Sequence, residues 1–355
     1  MVDIIVPVYN VEKYLEPCLQ SILQQATTVP LRVICVNDGS TDASPQILNS
    51  FSKRDPRIMI VNRENGGLSA ARNTGLEHVT APYVYFVDSD DLIRENCIEQ
   101  LFRAIRQHDT DFVICGHQCF YSRGHIEENQ CFDFSGWSPA CLSTPDEKSR
   151  VFTYCFAWSK LLKTEFIRKH KLRFAEGLCF EDNLFHFQCL CLASRIALIT
   201  DKLYLYRMRN GSIVKQRGKH YLDMIEILDR SKSFLKEYRF FHLYDSVFLA
   251  FKLNVSFWHF QYIKNKYKEQ CRQLIIKSLD CEERQFLSTN SNALSADATR
   301  FYSELLDGQW NWLKSLRWKI KSNLKNLIRP FYMKVFPKAP RKPFNRNTPP
   351  MDKNA

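Results

Sequence analysis

No stretch of this 355-residue chain reaches the roughly 18 uncharged apolar residues that a membrane-spanning helix needs. The apolar run at Phe248–Phe260 is broken by Lys252 and Asn254. A secretory leader is not expected either. Met1 runs straight into Val2-Asp3-Ile4-Ile5-Val6, which reads as a strand with no basic segment before it. G-x-G-x-x-G is missing after that strand, and G-x-x-x-x-G-K-[ST] is missing throughout. Those two gaps exclude a dinucleotide fingerprint and a P-loop. The 13 cysteines have no small secreted scaffold to staple, so they read as reduced, mostly buried thiols of a cytoplasmic protein. Cys115-x-His117-x-Cys119 has none of the usual zinc spacings. No internal repeat is visible. Acidic residues are scarce at one end. Gly308–Ala355 holds 12 basic residues and one acid, Asp352, while residues 1–307 hold 38 basic and 37 acidic residues. The net charge of +12 therefore belongs almost wholly to a tail, and nucleic acid is not expected as a partner.

What is present is a foldable body. At 45% hydrophobic and 13% aromatic residues, global disorder is excluded, and the length suits two to three domain-sized units. Short apolar runs alternate with amphipathic stretches in the first 115 residues. Strands are expected at Ile4–Val8, Leu31–Val36, Ile58–Val61, Tyr83–Val87 and Phe112–Cys115. Helices are expected at Val11–Gln25, Asp42–Lys53, Leu68–His78 and Glu95–His108. That alternation predicts βαβ units and a mostly parallel sheet. Strands such as Ile-Ile-Val-Pro-Val are apolar on both faces, as a sheet covered by helices requires. Farther on, His117–Ser143 reads as irregular. Helices are expected at Pro145–Leu162, Lys163–Lys171 and Glu181–Ala193, with a short strand at Ile196–Thr200. Beyond Gly218 only helices are expected, at Tyr221–Phe260 and Tyr262–Leu279, with a polar loop at Leu287–Ala298.

Open α/β sheets bind ligands at the carboxyl ends of their strands. Three of those ends are rich in Asn and Asp: Pro7-Val8-Tyr9-Asn10, Asn37-Asp38-Gly39-Ser40-Thr41-Asp42 and Asp88-Ser89-Asp90-Asp91. Without a P-loop, a phosphate ligand needs another source of positive charge. Asp88-x-Asp90 could supply it by holding Mg²⁺ or Mn²⁺, hard cations that share oxygen ligands with phosphates. The bland alternative is that Asp90 or Asp91 caps a helix beginning near Leu92.

Taken in order, Val2–Asn10 with Tyr14-Leu15, Asn37–Asp42, Asn65–Gly75 and Asp88–Asp91 resemble the motifs of family 2 glycosyltransferases. The resemblance covers roughly residues 1–210. It implies the GT-A fold, a Rossmann-like αβα sandwich with a mostly parallel sheet, here followed by a helical C-terminal region. It implies a nucleotide-sugar donor and a Mn²⁺ or Mg²⁺ cofactor. On the matching positions, Asp38 would bind a uracil-type base, and Pro7, Tyr9, Asn10 and Glu12 would surround base and ribose. Gly67, Arg72 and Asn73 would lie beside the nucleotide. Asp88 and Asp90 would hold the metal–diphosphate, with Asp90 as the direct ligand. Phe180-Glu181-Asp182-Asn183 resembles the family's E-D motif, which makes Asp182, beside Glu181, the candidate catalytic base. Lys160, in Trp158-Ser159-Lys160-Leu161, would contact phosphate or acceptor, the alternative being a solvated lysine. Arg207 and Arg209, in a segment resembling one that closes over the donor, would grip the diphosphate. His186, one turn after Asp182, reads as structural.

The tail adds a location. Trp312, Leu313, Leu316, Ile320, Leu324, Leu327 and Ile328 fall on one helical face, with Lys314, Lys321, Lys325 and Arg329 roughly opposite. Such helices lie in a membrane interface, the expectation here, or pack on their own globule or on a second subunit. The expected organisation is a nucleotide-sugar-binding half at 1–115, an acceptor and base half at 116–215, a helical region at 216–308, and a basic amphipathic helix with a Pro-rich end at 309–355. The expected function is inverting, metal-dependent transfer of a sugar, as UDP-hexose or UDP-N-acetylhexosamine, to a hydroxyl of a glycan or lipid-linked glycan. The product would be lipopolysaccharide or capsule, and the enzyme peripheral on the inner face of the bacterial cytoplasmic membrane, where homo-oligomers are possible. The alternative is a catalytically silent nucleotide-sugar-binding subunit of a membrane glycan-assembly complex.

Overall fold

The computed structural model describes residues 1–121, 138–209 and 216–308. One nine-stranded mixed sheet carries the chain as far as Met208. Its strands are β1 Val2–Val8, β2 Leu31–Asp38, β3 Ile58–Arg63, β4 Tyr83–Phe86, β5 Leu92–Ile93, β6 Phe112–Tyr121, β7 Ala140–Leu142, β8 Lys160–Lys163 and β9 Ile196–Met208. They lie in the order β3-β2-β1-β4-β8-β6-β9-β5, with β7 also on β9. The long ladders β1–β2, β1–β4, β2–β3 and β6–β9 are parallel. The short strand β8 runs antiparallel between β4 and β6.

The helices between strands are α1 Glu12–Leu23, α2 Ser44–Arg54, α3 Leu68–Glu77, α4 Cys97–His108, α5 Pro145–Ser149, α6 Thr164–Lys169 and α7 Glu181–Leu192. After the sheet come α8 Asp223–Glu237, α9 Phe241–Tyr262, α10 Lys268–Ser278, α11 Cys281–Thr289 and α12 Ala296–Leu306. Every residue of β1 is buried, which explains its apolar composition apart from Asp3, whose carboxylate takes the Arg32 guanidinium and the N–H groups of Thr80 and Ala81. Pro7 is tolerated in this inner strand because pairing with β4 stops at Ile5. Its missing N–H faces that unpaired edge. Aromatic rings tie the distant motifs together. Phe174 stacks on Phe185 of α7 at 4.1 Å and meets Phe86 of β4 edge-on at 5.2 Å.

The structure corrects several expectations. Pro145–Leu162 is not one helix. A Thr144–Glu147 capping box starts α5, which ends at Ser149, and Lys160–Lys163 is a strand. In Val151–Leu162 only Thr153, Ser159 and Lys160 interrupt the apolar residues, so its periodicity favours neither state, and pairing with β4 and β6 decides. The long helix expected at Tyr221–Phe260 is two helices, separated where Arg239 adopts φ +59° without glycine to announce the stop. β6 continues past Cys115 to Tyr121 with a register shift at Gly116, and β9 continues past Thr200 to Met208. The loop expected at Leu287–Ala298 is shorter, because α11 reaches Thr289 and α12 starts at Ala296. The amphipathic helix expected in 309–355 lies outside the described residues.

Candidate active site

The loops that follow β1 and β2 are stitched to each other by their own polar side chains. Asn10, at φ +50°, accepts the Thr41 N–H at 2.8 Å. Glu12 accepts the Ala43 N–H at 2.9 Å, and Asp42 returns the bond by accepting the Glu12 N–H at 2.9 Å. Asn10 and Glu12 thus shape the rim of the sheet, while Tyr9 stands half exposed above it. Pro7 is buried in β1 and presents no side chain to the rim.

Asp38, at the end of β2, is 2% exposed. Its carboxylate takes the Arg63 guanidinium and the N–H groups of Gly66 (3.0 Å) and Gly67 (2.8 Å). It therefore braces the turn before α3, a partner set that the sequence does not reveal. Gly67 makes that turn at φ +87°, where other residues are strained. A Cβ at Gly66 would sit 2.6 Å from the Arg63 guanidinium and would push that flexible side chain aside from Asp38.

α3 then delivers Arg72 into the interior. Its Nη1 donates to Glu181 Oε1 at 2.5 Å and its Nη2 to Asp88 Oδ1 at 2.7 Å, with the guanidinium over the Phe174 ring. One side chain thus joins the Asp88-x-Asp90 turn to the Glu181-Asp182 pair. These are interior pairs, since Arg72 is 2% exposed. Its neighbour Asn73 spends its amide on the chain itself. It accepts the Phe174 N–H at 2.9 Å and donates to the Phe174 carbonyl and to Glu176, each at 2.9 Å. Asn73 clamps the segment before α7.

The turn after β4 carries three acids with three different surroundings. Asp88 pairs with Arg72. Asp90 Oδ2 takes Arg209 Nε at 2.5 Å, and its backbone carbonyl takes Arg207 Nε at 2.6 Å. Burial raises the Asp90 pKa, the Arg209 charge opposes that rise, and Asp88 adds to it. Asp91 is buried, accepts the Tyr204 hydroxyl at 2.7 Å and the Arg207 N–H at 2.6 Å, and is pushed far up by burial beside Asp90 and Asp88. Neither Asp90 nor Asp91 caps a helix. Leu92–Ile93 is strand β5, and α4 starts only at Cys97. Asp91 is the residue that sequence reasoning missed. It fixes β9 against the turn and so places Arg207 and Arg209, whose guanidinium groups both lie 5.3 Å from the Tyr14 ring.

Asp182 lies half-buried in the first turn of α7 and accepts the Asn183 amide at 3.1 Å. Burial and the adjacent Glu181 raise its pKa, and the Arg72 and Lys160 charges pull against that rise. Glu181 is likewise raised by burial and lowered by Arg72. A carboxylate with raised pKa holds a proton more readily, which suits a general base.

Two expectations fail here. Lys160 is fully buried, and its ammonium bonds the chain's own Phe156 carbonyl, with Tyr154 O at 3.4 Å and Ser159 Oγ at 3.3 Å. Burial lowers it to about 8. It does not reach out to a phosphate, as the sequence suggests, nor is it solvated. His186 is held at 3.1 Å from the Val151 and Phe152 carbonyls, a structural place as expected. His117 pairs with the Tyr154 hydroxyl at 2.7 Å. Among the described residues, no group of three or more His, Cys, Asp or Glu is arranged to hold a metal.

The chain matches the pattern of glycosyl transferase family 2 over residues 3–166. The glycosyltransferase GlyG of Streptococcus pneumoniae is 34% identical over 227 residues, which are 61% of this chain and 73% of that protein. The glycosyltransferase GlyA of the same organism is 37% identical over 221 residues, 60% of this chain. The chain spans only 31% of GlyA's length. Staphylococcus aureus TarS 1–349, solved with UDP-GlcNAc, superposes with a TM-score of 0.57 at 21% identity, covering 80% of this chain and 91% of that one. The fold is GT-A. The chain belongs to glycosyl transferase family 2, whose members are enzymes of sugar transfer.

Proposed function

We propose that the chain is an inverting, metal-dependent glycosyltransferase that moves a hexose or N-acetylhexosamine from a UDP-sugar to a hydroxyl of a growing bacterial surface glycan. The observation that carries this reading is Arg72, which holds Glu181 and Asp88 on one guanidinium. It brings a candidate base and a candidate diphosphate turn to one place, as transfer requires. Asp182 takes the proton of the acceptor hydroxyl. The hydroxyl oxygen then bonds the anomeric carbon as the carbon–oxygen bond to the diphosphate breaks on the opposite face, so the configuration inverts. Arg207 and Arg209 lie where they can take up the charge that the leaving diphosphate gains. That TarS was solved with UDP-GlcNAc supports a uridine donor, and the names of GlyA and GlyG support sugar transfer.

Asp88 and Asp90 suit a hard cation. Each gives one oxygen to an arginine, and a carboxylate has two. Mn²⁺ or Mg²⁺, when bound there, neutralises charge on the diphosphate. Arg209 then has to share Asp90 or move to the phosphates. The division of labour follows the chain: donor binding in 1–115, base and acceptor in 116–215, support in 216–308, and contact with an anionic membrane through 309–355.

Calorimetric titration with UDP tests the metal role. Asp90→Ala is expected to abolish the Mn²⁺-dependent part of UDP binding, and unchanged metal dependence would sink that role. A silent binding subunit would bind donors from a panel of UDP- and GDP-sugars and release no nucleotide from any of them.

A further inference from the structure

α7 carries Glu181 and Asp182 in its first turn, yet no side chain caps that helix end. The residue before it, Phe180, adopts φ +66°. Bulky residues rarely take this left-handed conformation, so something else must hold it. The helical region beyond residue 216 provides the hold. Asp223, opening α8, accepts the Cys179 N–H at 3.1 Å. The Phe180 ring is wedged edge-on against His259 of α9 (centroids 4.8 Å apart) and Tyr221 (5.9 Å). His259 is itself fully buried, with Nδ1 at 3.2 Å from the Tyr221 carbonyl. Tyr221, Asp223 and His259 all lie beyond the residues that match the family pattern.

We propose that Asp223 and Phe180 are positioning residues for the Asp182 base, and that the C-terminal helices hold the base loop in its strained, transfer-ready form. The inference rests on the reading of Asp182 as the base. Relaxing Phe180 to an ordinary φ would turn the peptide that starts α7 and re-aim its first turn. The donor side of the site, anchored on β1, β2 and β4, would stay in place. A displacement of about an ångström at a reacting group is enough for a hundredfold loss of rate.

The test measures kcat, KM for the donor and UDP affinity in one series of full-length variants, with thermal melting alongside. Asp223→Ala is expected to lower kcat ten- to hundredfold, with UDP affinity and donor KM within about twofold of the parent. Asp223→Asn keeps an oxygen that can accept the Cys179 N–H and is expected to restore kcat. If Asp223→Ala does not fold, Asp223→Glu retains the charge and moves the acceptor by one methylene, and the same kcat loss is expected from it. Undiminished kcat in Asp223→Ala, or in Asp223→Glu where that variant has to stand in, would overturn the proposal. So would a fall in UDP affinity that matches the fall in kcat. Asp182→Asn in the same series separates the two readings. If it keeps full turnover, the base assignment fails. If it is inactive while the Asp223 variants are fully active, only the positioning role fails.

Discussion

A guanidinium carries N–H donors on separate nitrogens, and Arg72 gives Nη1 to Glu181 and Nη2 to Asp88. Lysine has a single point of charge and cannot serve both carboxylates in this geometry. Arg72→Met leaves buried Glu181 without its cation, a loss of about 3–5 kcal/mol that urea unfolding should read. Arg72→Lys should fall between that variant and the parent. With Asp182 as the proposed base, the pH dependence of transfer follows from its titration. A general base works only when ionised, so activity falls as pH drops through its pKa. Because that pKa is raised, the acid limb should lie above the ordinary aspartate value of about 3.9. Glu181 is one cause of the rise, so Glu181→Gln should move the acid limb to lower pH. A limb that stays fixed would mean that Glu181 does not act on the titrating group. The acids at the strand ends were legible in the sequence because their residue types and spacing carry the chemistry. Lys160 and Asn73 were not. Whether a polar side chain meets a ligand or its own backbone depends on the folded path of the chain, which turns Lys160 back onto nearby Phe156 and brings distant Phe174 to Asn73.

At the scale of elements, the βα alternation of the first 115 residues is readable because each strand is apolar on both faces and each helix on one. Legibility ends where tertiary pairing overrides local pattern, as in β8, a short strand held between β4 and β6. Close packing of elements also gives a sharp prediction. Gly75 in α3 faces Ile5 of β1, and a Cβ added there would stand 2.5 Å from Ile5 Cγ2. By helix propensity alone, Gly75→Ala would stabilise by about 1 kcal/mol. The contact instead predicts destabilisation of about 1–3 kcal/mol, seen as a lower melting temperature. A higher one would show that α3 can move away from β1 and that Arg72 is less firmly placed than its burial indicates.

For the whole molecule, charge and chemistry are separated along the chain. Residues 1–307 are nearly neutral, and the excess of basic residues lies in 308–355. No helix among the described residues is long and apolar enough to cross a membrane. Removing 309–355 is therefore expected to abolish co-sedimentation with anionic liposomes and to leave nucleotide release from the donor unchanged. Retained sedimentation would put the membrane contact elsewhere. The body, in turn, is organised so that one buried arginine links the Asp88–Asp91 turn to Glu181, beside the proposed base Asp182. The most direct test of that arrangement is nucleotide release by the parent and by Asp182→Asn, with UDP binding measured in parallel. Asp182→Asn is predicted to bind UDP as the parent does and to lose about 100- to 10,000-fold in turnover. Turnover at the parent's rate would contradict the account.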